Sequence, residues 1–138
     1  MLRCNNGRME QDFEARGAAG APLPFVVLAA LLFCAIAAAT LCPQALRPHL
    51  GPADLERFGA YLAFGLCTAW AFPRRPLAVV VVVALAAFGL EAAQKLAPGR
   101  DAHLSDASVK ALGGLCGAAL GFWTVDLVNL LRGRRPLP

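Results

Sequence analysis

Apolar residues run through this chain in four long blocks, separated by short polar stretches marked with proline. The first block, Phe25 to Cys42, holds Thr40 as its one polar residue. The second, Leu55 to Phe72, is apolar once past Glu56 and Arg57. The third, Leu77 to Leu90, is uninterrupted and reaches Ala97 if Glu91, Gln94 and Lys95 are included. The fourth, Val109 to Leu131, admits Lys110 near its start, then Asp126 and Asn129 near its end. Each block approaches the roughly 20 residues that cross a hydrocarbon core as a helix. The pattern predicts an all-α fold, an integral membrane bundle of four transmembrane helices over residues 24–42, 55–72, 77–97 and 107–131.

The connections are short. They run from Pro43 to Asp54, from Pro73 to Pro76 and from Pro98 to Ser105, each with the prolines expected where a helix must stop. Residues 1–21 are polar and rich in Gly and Ala, which predicts a disordered tail. Residues 132–138 form a second, basic tail, leaving 22–131 as one membrane domain. Ala37-Ala38-Ala39 would suit signal-peptide cleavage, but Glu10, Asp12 and Glu14 precede the first block, and the block is long enough to span. A retained helix is the expectation.

Composition agrees with this reading. Of 138 residues, 58% are hydrophobic and 16% charged, whereas a soluble domain carries about a quarter charged residues. The net charge of +4 does not imply a nucleic-acid partner, because the basic residues sit at helix ends, where they snorkel to headgroups and set topology. Arg3, Arg8, Arg16, Arg74, Arg75, Arg132, Arg134 and Arg135 fall on one side, eight in all, against five for Arg47, Arg57, Lys95, Arg100 and Lys110. The positive-inside rule then puts both termini in the cytoplasm and the 98–105 loop outside. A start at Met9 would narrow the count to six against five. The five cysteines lack metal-ligand spacing, and His49 and His103 stand alone, so neither a metal nor a cofactor is expected.

The candidate chemistry is concentrated between the third and fourth blocks. A carboxylate inside a span costs a few kcal/mol or more unless paired or solvated, which makes Glu91 a site candidate. Glu91, Gln94, Lys95 and Pro98 share one helical face. That face either carries an intrahelical Glu91–Lys95 pair or turns inward to hold a polar pocket. Pro98-Gly99 marks a turn with Arg100 directly after it, and Ser105 or Asp106 is placed to cap the fourth helix. A helix N-terminus beside Arg100 and Lys110 would attract a phosphate or carboxylate. On the second helix Arg57 precedes Tyr61 by one turn, and Arg57 is a partner for Glu91 or Asp106. Gly113, Gly117 and Gly121 repeat every fourth residue, letting another helix approach closely. Asp106 and Lys110 lie on that same stripe. Internal packing is the expected use of the stripe, with a homodimer as the alternative.

Taken in order, Tyr61, Glu91, Gln94, Pro98, Arg100, Ser105, Asp106, Gly113 and Gly117 resemble the VanZ-like family of small bacterial membrane proteins. The resemblance covers residues 54–121. This chain departs from it at Asp54 and Arg57, where many members carry Lys and His, and at Lys110, where many carry Asn. The resemblance implies a role in the bacterial cell envelope, at the inner membrane. The expected site is an outward-facing polar pocket of Arg57, Tyr61, Glu91, Gln94, Arg100, Ser105 and Asp106. Its expected partner is a membrane lipid or lipid-linked envelope precursor, bound rather than turned over. Alternatives are an enzyme acting on lipid with Glu91 or Asp106 as general acid or base, a small dimeric transporter, and a structural membrane helper.

Overall fold

The computed structural model describes residues 22–41, 52–94 and 104–133. Over these it is all-helical, with no strand among the described residues. The elements are α1 (Leu23–Leu41), α2 (Ala53–Ala71), α3 (Pro76–Gln94) and α4 (Leu104–Leu131). The expected tails at 1–21 and beyond Gly133 lie outside the described residues, as does the last turn expected for α3 at 95–97.

Local chemistry sets the ends. Between α2 and α3 the chain turns in four residues, with Phe72 N–H donating to Thr68 O at 2.9 Å and Arg75 N–H to Phe72 O at 3.0 Å. Pro76 then opens α3, a position where its missing N–H costs nothing. Gly133, with φ of 66°, takes the left-handed conformation that ends α4. At its other end α4 begins at Leu104, before Ser105 and Asp106, so neither precedes the helix as the expected cap would. Asp106 lies instead in the first turn, where a carboxylate is favourable beside the free N–H groups.

The helices alternate in direction. Contacts among Thr40, Arg57, Glu91, Gln94, Asp106 and Lys110 bring the C-terminal ends of α1 and α3 together with the N-terminal ends of α2 and α4. This is the polar end of the bundle. The central helices α2 and α3 each touch every other helix, while α1 and α4 lie apart on opposite flanks. The core is drawn from all four, with Ile36, Tyr61, Phe64, Val83, Ala87 and Ala118 buried together.

The exterior is as apolar as the core. Leu28 and Leu31 on α1, Val81, Leu85 and Phe88 on α3, and Leu112, Leu120 and Trp123 on α4 are all exposed. An apolar surface of this extent suits hydrocarbon rather than water. Three helical segments are long and apolar enough to cross a membrane: Leu23–Leu41, Pro76–Gln94 and Ser105–Leu131. The helix α2 differs because Asp54, Glu56 and Arg57 fall within its first five residues. It is also the helix most enclosed by the others.

The tightest seam joins α2 and α4, which run parallel. A methyl group at Gly113 would collide with Phe58 O, one at Gly117 with Leu62 O, and one at Gly121 would lie 2.6 Å from the Ala69 methyl. On the α2 side, a methyl at Gly65 would meet the backbone of Gly114. Backbone therefore lies directly on backbone. Further along, Trp70 Nε1 donates to Thr124 Oγ1 at 3.0 Å and its ring stacks on Phe25, centroids 5.0 Å apart. Trp70→Phe should keep the stacking and lose the bond, costing about 1 kcal/mol, readable as a small shift in detergent-solubilised melting.

Candidate functional site

At the polar end the helices place charge in two layers. The upper layer lies between α2 and α4, where Arg57 Nη1 meets Asp106 Oδ2 at 2.6 Å and Asp54 Oδ1 at 3.3 Å. Arg57 and Asp106 are partly exposed, at 28% and 27% of their side chains. One helical turn further into α4 comes Lys110, about 6 Å deeper along the axis. Its Nζ forms an ion pair with Glu91 Oε2 on α3. Both residues are buried, Lys110 at 3% and Glu91 at 5% exposure.

Two hydrogen bonds flank this lower pair. Tyr61, one turn below Arg57 on α2, is 1% exposed and donates its hydroxyl to Ala86 O of α3 at 3.2 Å. Gln94, one turn above Leu90 on α3, donates Nε2 to Thr40 O of α1 at 3.0 Å. Every helix therefore contributes to the cluster. One acceptor is left over: Glu91 Oε1 is buried with no hydrogen-bond partner among the described residues.

The two layers differ energetically. Arg57 and Asp106 keep contact with solvent, and such pairs contribute about 0–1 kcal/mol. The Glu91–Lys110 pair pays a desolvation cost that can exceed its attraction, so apolar residues in its place would be about as stabilising. A buried charge pair is thus weakly explained by stability, and the lone Oε1 strengthens that conclusion. Its chemistry is acceptor chemistry, suited to a donor such as a hydroxyl, amine or proton.

Of the residues the sequence singles out, Arg57, Tyr61, Glu91, Gln94 and Asp106 all come to this end of the bundle. Ser105 is exposed, with no contact linking it to the cluster among the described residues. Arg100 lies outside the described residues, and so does Lys95, with which Glu91 would form the alternative intrahelical pair. The partner that Glu91 takes is Lys110, from the next helix, and Arg57 goes to Asp106. Tyr61 is fully enclosed. Sequence reasoning missed Thr40 as a member of the cluster and did not pair Lys110 with Glu91. The signal for Lys110 was its place on the stripe shared by Asp106 and Gly113. For Thr40 no signal existed, because it contributes a backbone carbonyl.

Among the described residues no group of His, Cys, Asp and Glu could hold a metal ion. Cys34, Cys67 and Cys116 are free thiols. No family model, curated protein or solved structure matches this chain.

Proposed function

We propose that this protein is a VanZ-like membrane protein of the bacterial envelope that binds a lipid or lipid-linked precursor through its polar end. On this reading α2 crosses the inner membrane along with the three more apolar helices. Both termini then face the cytoplasm and the site faces outward. The distribution of basic residues supports that orientation, with Arg74 and Arg75 at the end opposite the site.

The observation that carries the reading is the layered charge itself, a partly exposed Arg57–Asp106 pair over the buried Glu91–Lys110 pair. Both carboxylates on Arg57 engage Nη1. A guanidinium fork at this mouth has the geometry that suits a phosphate oxygen. Binding at the mouth would compete with Asp106 for Arg57 and so alter the layer beneath.

The test is lipid retention by the full chain purified from bacterial membranes, read by native mass spectrometry. Arg57→Ala and Asp106→Asn should each lower stability by no more than about 1 kcal/mol, yet lose the selectively retained lipid. An unchanged lipid profile in both variants would sink the proposal and leave the polar end a purely structural feature.

A further inference from the structure

One atom at the polar end takes part in none of the contacts there. Glu91 Oε1 is buried without a hydrogen-bond partner among the described residues, on a side chain that is 7% exposed. An unpaired buried acceptor carries the full cost of its desolvation. The donors around it are engaged elsewhere. Lys110 Nζ pairs with Glu91 Oε2, and Gln94 Nε2 donates to Thr40 O at 3.0 Å. Tyr61 gives its single hydroxyl proton to Ala86 O at 3.2 Å.

The surroundings decide which donor fits this oxygen. A metal ion needs several ligands, and no group of His, Cys, Asp and Glu among the described residues could hold one. A proton on Glu91 would leave the Lys110 ammonium buried without a counter-charge. A second ammonium would stand beside that of Lys110, and like charges repel strongly at short range in a buried site. A hydroxyl meets none of these obstacles. It is neutral, donates one hydrogen bond and leaves the Glu91–Lys110 pair intact. Its bond to an ionised acceptor is also stronger than one between neutral groups.

Position links this donor to the mouth of the site. Asp106, which pairs with Arg57 at 2.6 Å, lies one turn above Lys110 on α4. The two charge layers are therefore offset by about 6 Å along that helix. A phosphate at Arg57 and a hydroxyl at Glu91 can belong to one headgroup, because the far hydroxyl of a phosphate-linked glycerol lies several bonds beyond phosphorus.

We propose that Glu91 Oε1 accepts a hydroxyl of the bound headgroup, so that the site selects a polyol phosphate, an inference that rests on the lipid-binding reading above. The phosphate engages Arg57 at the mouth, the alcohol part descends past Asp106, and its hydroxyl donates to Glu91 Oε1. Lys110 holds the carboxylate through its other oxygen.

The test varies the ligand before the protein. The full chain, purified in mild detergent, is offered equal amounts of phosphatidylglycerol and phosphatidylpropanol with the same acyl chains. The two lipids share phosphate, charge and headgroup carbons, and differ only in the glycerol hydroxyls. Native mass spectrometry should show phosphatidylglycerol retained about tenfold better, as expected of one hydrogen bond to a charged acceptor. Phosphatidylethanolamine, whose donor is an ammonium, should do no better than phosphatidylpropanol. Glu91→Leu combined with Lys110→Met removes the acceptor and its partner together, and should lower phosphatidylglycerol to the phosphatidylpropanol level. Equal retention of phosphatidylglycerol and phosphatidylpropanol by the wild-type chain overturns the inference while the lipid-binding reading stands, and this comparison decides the matter even if the double variant does not fold. A preference for phosphatidylethanolamine, or a hydroxyl preference that survives in the folded double variant, overturns it as well. Failure of the lipid-binding reading looks different: neither phospholipid is then retained above a diacylglycerol of the same chains, and both proposals fall together.

Discussion

Glu91→Ala is expected to destabilise the bundle by about 3–5 kcal/mol, because it leaves the Lys110 ammonium buried without a counter-charge. Lys110→Ala should cost a similar amount for the mirrored reason, with the Glu91 carboxylate left without a partner among the described residues. The burial of both residues makes the loss large, since neither can turn to water without opening the seam between α3 and α4. Glu91→Leu combined with Lys110→Met should return stability to the wild-type value or above it, because the desolvation cost disappears along with the attraction. Denaturant titration in mild detergent measures all three. Single variants within about 1 kcal/mol of wild type would mean that the pair is solvated and not buried. If the apolar double variant is stable but no longer retains lipid, the charges serve binding. If it is stable and retains lipid fully, they do not.

Gly117→Leu should cost at least as much as the roughly 1–3 kcal/mol typical of core overpacking. The atom in its way is a main-chain carbonyl oxygen, that of Leu62. A flexible side chain can swing aside, but a helix backbone must move as a whole. Gly117→Ala should already weaken the α2–α4 seam by about 1–3 kcal/mol. Gly59 provides the contrast on the same face of the argument, for a Cβ there meets nothing within 4 Å. Gly59→Ala should stabilise α2 by up to about 1 kcal/mol through helix propensity. Melting of the two alanine variants side by side decides the matter. Equal shifts for Gly59 and Gly117 would show that propensity, not backbone contact, governs both.

The helices themselves were legible from residue order. Four apolar blocks became four helices with starts displaced by one to three residues, since length, apolarity and proline stops act locally. The start of α4 moved most. Ser105 and Asp106 have capping chemistry, but Asp106 carries its charge across to Arg57, so the helix begins before it. The apolar second block also concealed a difference in kind. Its residues pack inward at Tyr61, Phe64, Cys67 and Thr68, where those of the first block mostly face outward. Apolar side chains satisfy a protein core and a lipid face alike, so composition alone cannot separate the two.

Residue order by itself determined that this chain forms long apolar helices, that polar chemistry gathers where the second, third and fourth meet, and that Gly113, Gly117 and Gly121 share one side of α4. All of these follow from short-range periodicity. The tertiary structure alone decided which charges meet. By residue order Glu91 had Lys95 one turn away and Arg57 on another helix as candidate partners. Its pairing with Lys110 depends on how packing sets α4 beside α3, a placement that residue order does not carry.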